Sequence, residues 1–176
     1  GGALRMNAGA MGWETFDLVD WVSFLLPDGS IREIPGTDLE VGYRYCREAY
    51  DGIALRAKLK SEGRSDHRAI RKVIDKLASQ RRATQPREAS AGCIFRNPDD
   101  ESAGLLIDQS GLKGEREGGA VVSDLHANFI INEGGASAEE VISLIKRVRE
   151  RVKESKGMML EPEVDILGHS WKEFLS

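Results

Sequence analysis

The chain predicts an α+β fold in two parts, an antiparallel β piece followed by a mixed helix–strand piece. Two observations carry this. The hydrophobic period changes from two to 3.6 near residue 66, and turn or cap residues punctuate nearly every segment on either side. In the first part, residues 21–26 and 31–34 are apolar-rich runs flanking Pro27-Asp28-Gly29-Ser30, a composition suited to a hairpin turn. Residues 53–60 alternate, with Ile53, Leu55, Ala57 and Leu59 opposed to Arg56, Lys58 and Lys60, which predicts a half-buried strand. The polar stretch 61–66 is the best boundary, so domains are expected over residues 1–62 and 63–176.

Beyond the boundary, Ile70, Val73, Ile74 and Leu77 follow the i, i+3, i+4, i+7 rule and predict an amphipathic helix over 66–82. A short strand around Cys93 follows. Next comes a helix over 101–110, started by Asp99-Asp100 and stopped by Gly111, and then strands near 120–123 and 127–132. Ser137 and Glu140 form a capping box for a helix with the buried stripe Val141, Leu144, Ile145, Val148 and Val152, ended by Gly157. A last strand is expected over 158–167.

The 176 residues, 40% hydrophobic and 31% charged, suffice for one or two real cores. A net charge of −4 offers no general attraction for nucleic acid or an anionic membrane. No apolar run approaches bilayer-spanning length, and no charged-then-apolar leader is present. Cys46 and Cys93 do not make a disulfide framework, so free thiols and a cytoplasmic location are expected. The three histidines lack metal-ligand spacing with the cysteines, so no metal site is expected. Arg81, Arg82 and Arg87 form a local basic cluster that suits either a small phosphate-bearing ligand or a solvated helix end.

Cys93 lies between small residues and an apolar pair in Ser90-Ala91-Gly92-Cys93-Ile94-Phe95-Arg96-Asn97-Pro98. Such a thiol is commonly a small core residue. Equally, an unperturbed thiol of pKa about 8.5 is protonated at neutral pH yet acidic enough to donate. A cysteine hydrolase built on Cys93, His126 and an Asn or Asp is also compatible with these residues.

Four segments, Gly1 to Ala10, Gly42-Tyr43-Arg44, Ser90 to Pro98 and Leu160-Glu161-Pro162-Glu163-Val164, resemble in order and spacing the C-terminal part of UDP-N-acetylenolpyruvoylglucosamine reductase. This is the MurB family of flavoenzymes of peptidoglycan synthesis. The resemblance implies a partial FAD-binding (PCMH-like) α+β domain, then the family's substrate-binding C-terminal α+β domain, with a tail strand returning to the active site. It also implies a further FAD-binding segment before Gly1. The implied reaction is reduction of UDP-N-acetylglucosamine enolpyruvate to UDP-N-acetylmuramate by NADPH through FAD. In that reading Cys93 is the proton donor, Arg44 binds the enolpyruvyl carboxylate, and Glu163 supports the developing charge from the opposite face. Arg44 and Glu163 are expected to converge on one substrate carboxylate. Gly1, Gly2, Asn7 and Gly9 match the flavin-contacting turn, and Tyr43, Asn97 and Lys113 match positions near the sugar nucleotide. Glu161, two residues before Glu163, shares its strand face by period. Asp165 stands where the family usually has an arginine, and Cys46 where it has a serine; His126 is expected to be a structural hydrogen-bonding residue. The alternative is a non-catalytic UDP-sugar-binding or interaction module built on the same fold.

Overall fold

The structure is a computed structural model that describes every residue except Glu62, Asp99, Asp100 and Ser176. The chain divides into two compact units, Gly1–His67 and Arg68–Ser176. The division falls five residues after the expected break at Glu62, which itself lies outside the described residues.

The first unit contains α1 (Gly2–Arg5), β1 (Gly9–Ala10), β2 (Trp13–Glu14), β3 (Val19–Leu25), β4 (Ile31–Pro35), β5 (Val41–Gly42), β6 (Tyr45–Cys46), α2 (Arg47–Asp51) and β7 (Ile53–Leu59). The predicted hairpin forms from β3 and β4, and β3 lies centrally between β4 and β7 with antiparallel pairing on both sides. Asp28 anchors the turn by accepting from the Ser30 N–H at 2.8 Å, and the Ser30 side chain and then this N–H hold its carboxyl below the usual range. Val19, Val22, Phe24, Leu39 and Cys46 form the core, packed by Leu4, Phe16, Ile34 and Ala54 among others. Burial pushes the Cys46 thiol up, as suits a core residue.

One expectation fails here. The apolar set of β7 is not a buried face: Ile53 and Leu59 are 63% and 62% exposed. Pairing of β3 with β7 shifts register twice, between Ser23 and Phe24 and between Val19 and Trp21. The first shift leaves Leu55 of β7 as an extra residue and breaks that strand's period of two, the second leaves Asp20 of β3, and it is Ala54 that packs against the core.

The second unit contains α3 (His67–Thr84, its first residue in the first unit), β8 (Ala89–Cys93), α4 (Ala103–Gln109), β9 (Arg116–Glu117), β10 (Ala120–Val122), β11 (Phe129–Asn132), α5 (Ala138–Lys156) and α6 (Trp171–Phe174). Four antiparallel strands run in the order β8-β11-β10-β9. Leu144, Ile145, Val148 and Val152 of α5 pack with Leu106 and Ile107 of α4 and with Ala120, Val122 and Ile130 of the sheet. Burying each Leu, Ile or Val among them contributes about 1.5–3 kcal/mol.

The capping box forms as predicted, with the Glu140 N–H donating to Ser137 Oγ and the Ser137 N–H to Glu140 Oε2. Gly157 closes the helix in the left-handed region at φ 69°. Gly119 is required for a different reason: a Cβ there would sit 2.6 Å from the Gly134 carbonyl oxygen and 2.7 Å from the Ala136 nitrogen. The N-cap of α4 is Ser102; the expected Asp99-Asp100 lies outside the described residues.

Two further corrections belong to this unit. Helix α3 forms, but it has no buried residue, and Ile70, Val73 and Ile74 are each about half exposed. The strand expected over 158–167 is a single bridge, Pro162 with Phe95, flanked by one backbone hydrogen bond on each side.

Two substitutions test this division of labour. Leu144→Ala should destabilise the unit by about 2–5 kcal/mol in urea denaturation, and Ile74→Ser should change stability by less than about 0.5 kcal/mol. Equal effects would contradict the core described.

Candidate functional site

In the second unit the site grows from the end of β8. Cys93, the last residue of that strand, pairs with Phe129 of β11 and is half-buried. Just beyond it, Phe95 bridges Pro162 in antiparallel fashion. The Glu163 N–H donates to the Ile94 carbonyl at 2.7 Å, and the Arg96 N–H donates to the Glu161 carbonyl at 2.9 Å. The backbone of Glu163 thus lies directly beside the residue following Cys93, although most of the second unit separates them in sequence. The two carboxylates of this segment are distinguished by their surroundings. Glu161 faces Arg149 at 3.6 Å, and Arg149 also donates to the Leu160 carbonyl at 2.9 Å. Glu163 is half-buried, and the carbonyl of the next residue, Val164, accepts from Trp171 Nε1 at 2.6 Å, which anchors the tail.

Asn97 follows this bridge, and its Oδ1 accepts from the Ala103 N–H at 3.1 Å, so the side chain helps start α4. Lys113 pairs with Asp108 at 2.7 Å. His126 is held edge-on to Phe129, and its Nδ1 accepts from the Asn128 N–H at 3.3 Å, which places the ring proton of the neutral form on Nε2. Burial lowers its pKa, and the Lys113 charge acts in the same direction, so the ring is neutral near pH 7.

A residue not singled out from the sequence sits behind this segment. Asn128 is 2% exposed; its Oδ1 accepts from the Phe95 N–H at 2.9 Å and its Nδ2 donates to the Phe95 carbonyl at 2.8 Å. No local pattern reveals it, because its partners lie 33 residues away.

In the first unit, the other predicted residues gather around two short hairpins. Tyr43 and Arg44 form the two-residue turn between β5 and β6, with Arg44 at φ 56°. The Arg44 guanidinium carbon lies 5.0 Å from the Tyr43 ring centre, and a Cβ on Gly9 would stand 3.9 Å from Arg44 Nη1. Asn7 is buried, donating to Glu14 at 2.6 Å and to the Gly42 carbonyl at 3.3 Å while accepting from the Phe16 N–H at 3.2 Å. Its amide therefore joins the turn carrying Gly9 to the turn carrying Arg44. Gly1 and Gly2 are exposed at the start of the four-residue α1.

As a place for a flavin, this region fits through its exposed backbone at residues 8–12, whereas the polar atoms of the Asn7 side chain are already bonded within the chain. Among the described residues, no group of three or more His, Cys, Asp or Glu side chains could hold a metal ion, and no helix is long and apolar enough to cross a membrane.

The structure therefore brings Cys93 and Glu163 onto neighbouring backbone segments of one unit, and gathers Asn7, Gly9, Tyr43 and Arg44 in the other.

Comparison with known proteins gives a consistent answer. Residues 85–167 match the family described as UDP-N-acetylenolpyruvoylglucosamine reductase, C-terminal domain. The chain is 43% identical over 171 residues to the UDP-N-acetylenolpyruvoylglucosamine reductase of Alkalilimnicola ehrlichii, covering 97% of this chain and 57% of that protein. It is 44% identical to the reductase of Methylococcus capsulatus, covering 97% of this chain and 56% of that protein. The crystal structure of UDP-N-acetylenolpyruvylglucosamine reductase (MurB) from Thermus caldophilus superimposes with a TM-score of 0.80 at 38% identity, over 94% of this chain and 59% of that one. The chain spans somewhat over half the length of the curated relatives it matches. Residues 85–167 are thus the counterpart of the C-terminal domain of the UDP-N-acetylenolpyruvoylglucosamine reductase family, and nearly the whole chain is similar to proteins of that name.

Proposed function

We propose that the chain provides the substrate-facing part of a reductase that converts UDP-N-acetylglucosamine enolpyruvate to UDP-N-acetylmuramate for peptidoglycan synthesis, with NADPH as reductant and FAD as carrier. The observation that supports this best is the backbone pairing that sets Glu163 beside Ile94, one residue from Cys93. In this reading the first unit is the remainder of a FAD-binding domain and the second binds the sugar nucleotide. Two thiols, neither in a disulfide, suit the reducing cytoplasm included in it.

When bound, the flavin supplies a hydride to the terminal carbon of the enolpyruvyl double bond. Negative charge then spreads from the neighbouring carbon into the carboxylate. Arg44, a permanent cation with a planar fork of donors, holds that carboxylate and stabilises the charge. Cys93 Sγ gives its proton to the neighbouring carbon, completing the addition, and Glu163 supports the charged species from the opposite face. Tyr43, Asn97 and Lys113 orient the sugar nucleotide. Gly1, Gly2 and Gly9 let backbone approach the flavin closely, and Asn7 acts by fixing the loop that carries Gly9.

Two outcomes follow. Because the chain offers the flavin little more than an exposed turn, the purified, desalted protein should show no stoichiometric flavin absorbance; a full visible flavin spectrum would contradict this distribution of contacts. In a full-length enzyme that carries this chain together with the rest of the flavin site, Cys93→Ala should leave NADPH-dependent flavin bleaching intact and slow reoxidation by substrate about 10²–10⁴-fold, with Cys93→Ser keeping part of the rate. Unchanged reoxidation in the alanine variant would remove Cys93 from the reaction.

A further inference from the structure

We propose that Asn128 is a positioning residue that holds Cys93 and Glu163 in register with each other; this rests on the reading that those two residues share one site. At Phe95 the chain runs between two neighbours. On one side, residues 94 and 96 exchange backbone hydrogen bonds with Glu163 and Glu161, and Phe95 faces Pro162. In that antiparallel arrangement the Phe95 N–H and carbonyl point to the other side. There β11 reaches Cys93 through Phe129, and the Asn128 carbonyl accepts from the Ile94 N–H at 2.9 Å, but the regular register does not continue to Phe95.

The Asn128 side chain takes the place of the missing strand. A carboxamide carries the same donor and acceptor as a peptide group, and this one satisfies both polar groups of Phe95, at 2.9 and 2.8 Å. The pair is buried, so neither bond is readily exchanged for water. His126 closes the other side, its Nδ1 accepting the Asn128 N–H. Both polar atoms of the side chain are engaged by Phe95, so Asn128 acts through the backbone of residues 94–96 and not on substrate. Without that amide, Phe95 loses the partners that fix its plane, and Cys93 and Glu163 lose their common reference.

The test is a double-mutant cycle read by alkylation of Cys93 with iodoacetamide at pH 7.5, followed by mass spectrometry to separate it from the buried Cys46. On the shared-site reading Glu163→Gln removes a carboxylate near the thiol and should speed alkylation about threefold. In the Asn128→Leu background, with the melting transition still cooperative, the same substitution should change the rate by less than about 1.3-fold. An undiminished threefold effect in that background overturns the positioning role. No effect of Glu163→Gln beside native Asn128 overturns instead the shared site on which the proposal rests. Should Asn128→Leu not fold, Asn128→Ser, which keeps a hydroxyl for one of the two bonds, carries the same comparison: a reduced coupling supports the role and a full one overturns it.

Discussion

The bridge between Phe95 and Pro162 is the constraint on which the second unit's candidate site depends. It is a single antiparallel pair with two flanking hydrogen bonds, yet it ties the segment after the long helix α5 to the segment after β8. The Pro162 nitrogen is turned away from Phe95, so its missing N–H closes the tail's opposite edge to strand pairing. The tail is consequently held by other means: Arg149 on the Leu160 carbonyl, Trp171 on the Val164 carbonyl, and Leu160 fully buried in the core. A short pairing fixed at both ends sets the position of one residue, Glu163, without committing its neighbours to a sheet.

The first unit reaches its own candidate residues by a different route. Among its described residues, the three non-glycine residues with positive φ, Asn7, Met11 and Arg44, all lie in or beside the β1–β2 and β5–β6 hairpins. Holding a residue with a Cβ in that region costs about 1–2 kcal/mol, and such strain persists only where surrounding contacts over-determine it. The buried Asn7 amide is one such contact, joining Glu14, Phe16 and Gly42. Arg44 is therefore presented on a fixed turn rather than on a free loop, an arrangement suited to the anion-holding role proposed for it.

Much of this was legible in the sequence where the physics is local. The capping box of α5, its buried stripe and its glycine stop are all decided within about 20 residues, and they appear where the pattern places them. The β3–β4 hairpin is equally local. Legibility fails where non-local pairing decides. The alternation in β7 carries no sign of the two register shifts imposed by β3, and the apolar stripe of α3 does not disclose what lies against it. At the candidate site, Cys93, Arg44 and Glu163 were found through resemblance to a family, since a lone thiol or carboxylate has many ordinary uses. Asn128 could not be found that way or by periodicity, because its only signal is a pair of hydrogen bonds across 33 residues.

The central claim is that the segments around Cys93 and Glu163 form one site for the enolpyruvyl sugar nucleotide. The most direct measurement is a titration of this chain with UDP-N-acetylglucosamine enolpyruvate, followed through backbone amide resonances. The account predicts that the amides of Ile94, Phe95 and Glu163 shift together along a single saturation curve, while those on the outer face of α5 stay still. Saturable binding that leaves residues 93–96 and 161–163 unperturbed would contradict it.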